Sequence, residues 1–205
     1  MTTVLLSYLL TCIAIELTPG PNMAYLAVLS VERGRLAGLY AVAGVALGLA
    51  LLGALAVFGV GELIMAQPLL YESLRWAGIA YLLYLAHDAW ADARRPVEAL
   101  DPAQLGWRSF RRGLINNLLN PKAALFYITV MPSFVQTDRP ALGQTLLLGM
   151  VYVVVATAIH AMVVMLAGAV QPLLTAERSR RLMGGVFAAL LVGVAIWVGL
   201  STARQ

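Results

Sequence analysis

The sequence predicts an all-α integral membrane protein, with six transmembrane helices arranged as two inverted three-helix repeats in which helices 1 and 4 are broken. Three observations predict it. Of the 205 residues, 61% are hydrophobic and only 12% are charged, which is far from the usual soluble mixture. The charges are confined to short gaps between apolar stretches of about twenty residues, each long enough to cross a hydrocarbon core roughly 30 Å thick. The apolar run that opens the chain is interrupted by Glu16-Leu17-Thr18-Pro19-Gly20-Pro21-Asn22, which includes the residue types a helix tolerates least.

The six stretches run approximately from Val4 to Leu29, Leu36 to Gly61, Leu69 to Trp90, Leu114 to Val135, Leu142 to Val170 and Leu182 to Leu200. They are continuous, whereas strands of a membrane barrel would alternate over about ten residues. Met1-Thr2-Thr3 lacks the basic region of a secretory signal, and the run that follows is too long for a signal core, so it counts as the first span. Cys12 is the only cysteine, which excludes an intramolecular disulfide and a cysteine metal cluster. The whole chain, 1–205, reads as one transmembrane domain, with halves of about 1–92 and 110–205 joined by a linker at about 93–109.

Arginine placement orients this domain. Arg33 and Arg35 fall between spans one and two, Arg94, Arg95, Arg108, Arg111 and Arg112 between three and four, and Arg178, Arg180 and Arg181 between five and six. The other side has Arg75, Arg139 and Arg204. Positive loops stay in the cytoplasm, so both termini are expected outside it. These loops are short and lack interleaved stacking aromatics, so the net charge of +4 does not point to nucleic acid. Asp101 and Pro102 suit the N-cap and first position of a short surface helix. Leu105, Trp107 and Phe110 among the arginines suit the headgroup region. Three spans per half make the second half enter from the side opposite the first.

Pro68, Pro96, Pro102, Pro140 and Pro172 fall in loops or at span ends, and Pro132 lies where span four terminates or bends. Pro19, Pro21 and Pro121 lie near mid-depth, in Thr18-Pro19-Gly20-Pro21-Asn22 and in Asn120-Pro121-Lys122. Ordinary proline kinks are one reading, since membrane helices tolerate them. Two prolines flanking a glycine go further: they remove two amide donors and uncouple the carbonyls of Ile15 and Leu17. Unpaired backbone in hydrocarbon costs several kcal/mol, so the break belongs beside a wet cavity or a ligand. The amides of Asn22, Met23 and Ala24 would then present a positive helix end to an anion.

Glu16 and Lys122 are charges at membrane depth, one at each break, with Lys122 about 12 to 14 Å into its span. Such charges face the bundle interior and mark substrate or proton paths, or they form an ion pair that only joins the halves. Asn116, Asn117 and Asn120 add hydrogen-bonding side chains, and Asn116 and Asn120, spaced i and i+4, share a helix face. His160 in span five is a second candidate for proton transfer, beside the alternative of a satisfied helix histidine. His87 next to Asp88 reads as interfacial, and Gly34, Gly38, Gly44 and Gly48 favour close helix contact, within a subunit or in a homo-oligomer.

The motifs "TPGPN" at 18–22, "GLINNLLNPKAALFYITVMPSFV" at 113–135 and "LRWAGIAYLLYLA" at 74–86 make the chain resemble the LysE/RhtB-type amino-acid exporters over nearly its whole length. The resemblance implies a bacterial inner-membrane carrier of two inverted halves, driven by the proton motive force, with an amino acid, protons and the lipid bilayer as partners and no cofactor. Its motifs select Pro19, Gly20, Pro21, Asn22, Asn120, Pro121 and Lys122. Thr18 opens the first motif and Asn116 lies in the second. Glu16 and His160 come from intramembrane charge and polarity. Some members carry an acid after the glycine in span two, where this chain has Leu49 after Gly48. Lacking that carboxylate, the site suits a neutral amino acid such as threonine, homoserine or leucine better than a cationic one. Metal-cation export, as in the broader superfamily, is the alternative, although no cluster of Cys, His, Asp or Glu lines the spans. An intramembrane enzyme finds no HExxH, GxSxG or paired-aspartate motif. A purely structural protein would tolerate alanine at Gly20 and Pro21.

Overall fold

A computed structural model describes residues 2–18, 20–58, 67–92, 102–136, 138–169 and 177–201. Every regular element among them is helical. In chain order these are α1 (Thr2–Leu17), α2 (Pro21–Val57), α3 (Pro68–Asp92), α4 (Pro102–Leu118), α5 (Pro121–Leu125), α6 (Ala141–Ala167) and α7 (Glu177–Ser201). α5 continues through one wide turn, Phe126–Val130, and one tight turn, Met131–Phe134. Two helices, α2 and α6, are long and apolar enough to cross a membrane, with mean hydropathy 2.2 and 2.3 over their most apolar windows.

α2 is two helices joined at a reversal. Gly34 has φ 85° and ψ 171°, a left-handed conformation that only glycine adopts cheaply. In a straight helix Ser30 and Gly38 would lie about 12 Å apart, yet here the Ser30 hydroxyl sits where a β-carbon on Gly38 would be. The chain therefore folds back at Gly34. The sequence had grouped this glycine with the packing glycines, but it makes the turn while Gly38, Gly44 and Gly48 make the close contacts.

The second segment of α2 packs on α4 and α6, α3 packs on α7, and α1 packs on α6. Absent side chains permit the closest crossings: the backbone of Phe110 and Leu114 fills the space beside Gly44, and the Ala41 carbonyl fills that beside Gly113. The expected surface helix and the first part of span four are one helix, α4, which runs through the boundary expected near residue 110. Asp101, the expected cap, lies outside the described residues. Pro132 sits in the tight turn, and the chain leaves helical geometry at Val135, where the sequence leads us to expect span four to terminate or bend.

Polarity is distributed inside out. Leu36, Leu47, Leu51, Leu55, Leu146, Met150, Val154 and Leu166 are exposed, whereas Glu16, Asn22, Asn116, Asn117, Asn120 and His160 are buried. An apolar sheath around a polar centre is costly in water and natural in lipid.

Candidate functional site

The two helix breaks converge on the buried polar centre. α1 stops at Leu17, and α2 starts with Pro21 at its first position after the extended residue Gly20. α4 stops at Leu118, and α5 starts with Pro121 after Asn120. Both prolines thus open helices, where an amide would be unsatisfied anyway, instead of kinking continuous ones. Pro19 lies outside the described residues. The Ile15 carbonyl, expected to be orphaned, accepts from the Thr18 amide at 3.1 Å. Ala24, expected to offer a free amide, bonds the Gly20 carbonyl at 3.0 Å. Asn22 and Met23, the other amides of this helix start, receive no side-chain cap from Gly20.

Tyr8, Cys12 and Glu16 form the inward stripe of α1 and are all buried. Among the described residues, Glu16 is held by α6: the Tyr152 hydroxyl donates to Oε1 at 2.7 Å, and His160 Nε2 lies 3.2 Å from Oε2. Tyr152 is fixed by stacking on Phe126, with ring centroids 3.7 Å apart. His160 Nδ1 has no hydrogen-bond partner. Lys122 turns the other way, and its Nζ donates to the Thr18 carbonyl at 2.8 Å. A cation there completes the open carbonyl end of α1, where the helix dipole is negative. Glu16 and Lys122 border the same cavity without forming an ion pair, so the joining-pair alternative does not describe this arrangement. Lys122 follows the 17 residues of α4 and the break at Leu119 and Asn120.

Asn116 and Asn120 do not share a helix face, because α4 ends between them. Asn120 instead caps α5, its side chain accepting from the Lys122 amide at 3.0 Å. Asn116 Nδ2 donates to Asn22 Oδ1 at 2.9 Å, and Asn22 Nδ2 donates to Asn117 Oδ1 at 2.7 Å. This triad clamps the start of α2 to the end of α4. Thr18 is exposed and its hydroxyl turns back to the Ala14 carbonyl at 3.1 Å, so only its backbone faces Lys122. Glu16, Gly20, Asn22, Lys122, Tyr152 and His160 line a central cavity of about 10 Å³, room for about one water and not for an amino acid.

Sequence reasoning missed Tyr152 and left Asn117 out of the candidate site. Tyr152 precedes His160 by about two helical turns on the same face of α6, and that spacing was the available signal. Asn117 carried none beyond its neighbours, because its partner Asn22 comes from the other half of the chain.

A family model for LysE type translocators matches residues 13–202. The chain is 33% identical over 150 residues to the homoserine/homoserine lactone efflux protein of Salmonella typhimurium, covering 73% of each chain. The protein of the same name from Salmonella typhi gives the same identity and coverage. It is also 32% identical over 209 residues to an uncharacterized membrane protein of Pseudomonas aeruginosa, covering 96% of this chain and 94% of the relative. No solved structure matches. Helices too apolar on their outer faces for water, a polar centre built where two helices break, and a family match over nearly the full length agree: this chain is a membrane protein of the LysE type translocator family, a family of transporters and not of enzymes.

Proposed function

We propose that the protein exports small neutral amino acids, homoserine and its close analogues foremost, in exchange for protons. The observation that carries this reading is the pair of opposite, separately held charges at the helix breaks. Lys122 and the amides of Asn22 and Met23 bind a carboxylate, as helix starts do. Glu16 binds an ammonium. Each charge is held in the closed site by groups a substrate can replace, the Thr18 carbonyl for Lys122 and the Tyr152–His160 pair for Glu16. Glu16 cannot hold a proton and a substrate ammonium together with full strength, so the two compete, and competition at one carboxylate is enough to couple opposite fluxes. His160, with one ring nitrogen unpartnered, carries the proton to or from Glu16.

The same reading includes two inverted halves of three spans in a bacterial inner membrane, with the arginine-rich end in the cytoplasm and both termini outside. Two features support it. α1 and α4 have 16 and 17 residues, and each is followed by a short break and a helix that opens on proline. The packing pairs also exchange under such a repeat, α1 on α6 answering to α4 on α2, with α3 on α7 answering to itself. The names of the two Salmonella relatives support homoserine as the first substrate to try.

The test is efflux from proteoliposomes loaded with labelled neutral, basic or acidic amino acids, with and without an imposed proton gradient. Gradient-dependent loss of homoserine or another neutral amino acid is expected. Selective loss of a basic or acidic class would overturn the substrate reading, and loss that ignores the gradient would overturn proton exchange.

A further inference from the structure

A second polar cavity lies at the arginine-rich end of the bundle, apart from the central one. It measures about 20 Å³ and is lined by Tyr25, Val28 and Glu32 of α2, Asp88 of α3, Arg112 of α4 and Leu191 of α7, among others. Arg112 Nη1 and Asp88 Oδ2 lie 2.7 Å apart, with the two side chains 16% and 19% exposed. The Tyr25 hydroxyl is buried and has no hydrogen-bond partner among the described residues, and Tyr25 as a whole is 3% exposed. A buried hydroxyl without a partner is uncommon in a stable interior and marks a place where a further polar group fits.

The two cavities are joined by shared elements. Asn22 and Met23 on the first turn of α2 line the central cavity, and Tyr25, about one turn further on, lines the second. On α4, Arg112 lies about one turn before Asn116, which bonds Asn22. The asparagine triad is thus the partition between them.

We infer that this cavity opens into a loading site for the zwitterionic substrate: at about 20 Å³ it is too small for an amino acid as it stands, and the substrate enters by separating Arg112 from Asp88 and accepts or donates a hydrogen bond at Tyr25. This rests on the export reading above and adds a second binding position to it. The chemistry selects the ligand class. A lone anion taken up by Arg112 leaves the part-buried Asp88 without that partner, and a lone cation does the same to Arg112, each at a cost. A zwitterion satisfies both members as it separates them, because its carboxylate matches the planar guanidinium fork and its ammonium matches the aspartate.

The test uses the full chain with Cys12→Ala, to remove the native thiol, and Val28→Cys, to place one on the wall of the second cavity. Labelling of that thiol by N-ethylmaleimide is followed in inside-out membrane vesicles. Homoserine is expected to slow labelling at least fivefold, both in this protein and with Lys122→Ala added, whereas homoserine lactone, which lacks the free carboxylate, leaves the rate unchanged. The Asp88→Asn, Arg112→Gln double variant removes both charges together and leaves neither stranded, and it is expected to lose the protection while staying folded. Equal labelling with and without homoserine overturns the proposal. So does protection that survives in the double variant, or protection that disappears with Lys122→Ala, since the thiol would then report the central site alone. A failure of central export shows instead as unchanged efflux in Lys122→Ala, which this labelling does not measure.

Discussion

At the first helix break, α2 starts at Pro21 after Gly20, which has no side chain to cap it, and Asn22 and Met23 of its first turn line the cavity. At the second break, α5 starts on Asn120, whose side chain caps the Lys122 amide at 3.0 Å, and the lysine side chain leaves its own break to reach the Thr18 carbonyl of the first. Two breaks that read alike in sequence, polar residues ahead of a proline, therefore divide the work. The first gives its opening amides no side-chain cap, and the second caps its own Lys122 amide and lends a cation. Under the export reading proposed above, a site assembled from one uncapped and one capped helix start has a fixed polarity, carboxylate end toward the amides and Lys122, ammonium end toward Glu16.

The sharpest way to break this comparison is to remove the lent cation. Lys122→Ala leaves the Thr18 carbonyl unpartnered and takes away a charge-assisted hydrogen bond worth about 1.5–3 kcal/mol, so efflux is expected to fall about 10- to 100-fold with normal membrane insertion. Unchanged efflux in protein that inserts normally would show that the second break does not serve the first. A smaller effect is expected from Tyr152→Phe, which keeps the ring that stacks on Phe126 and removes only the hydroxyl that holds Glu16. With the hydroxyl that the substrate ammonium must displace from Glu16 gone, about 1.5 kcal/mol, half-maximal export should need up to roughly tenfold less substrate, with a shifted dependence on the proton gradient. The result to look for is a shift along the gradient axis, since a purely structural tyrosine would lower the maximal rate alone.

The finest test sets the two helix starts against each other. Asn120→Ala removes a cap and is expected to lower the thermal stability of purified protein by about 1 kcal/mol. Gly20→Ala removes no cap, and its extended backbone suits any residue, but the new methyl would stand 3.3 Å from Lys122 Cδ. It is expected to leave stability within about 0.5 kcal/mol and to raise the substrate concentration for half-maximal efflux a few-fold. If the two variants exchange these effects, the first break is the structural one and the second the binding one.

Much of this was legible in the sequence because it depends on local chemistry. Proline, glycine and asparagine interrupt an apolar run wherever they fall, and a glutamate or lysine within such a run must find a polar neighbourhood. The breaks at 18–20 and 119–120 and the candidacy of Glu16, Lys122 and His160 follow from that alone. Segment boundaries were less legible: nothing in residues 102–118 separates a surface helix from the start of a span, because the amphipathic and apolar parts share one helical repeat.

The partners of these groups were decided only by the tertiary structure. Charge alone left a Glu16–Lys122 pair open as one alternative, but helix packing brings α6 against α1, so Tyr152 and His160 reach the glutamate, while the open carbonyl end of α1 takes the lysine. Asn22 meets Asn116 and Asn117 because Gly48 and its neighbours let α2 and α4 approach closely, and Gly34 reverses the chain to bring them there. A sequence states which groups cannot be left alone in an apolar interior. Which partner each one finds depends on contacts made a hundred residues away along the chain, and those exist only once the helices have packed.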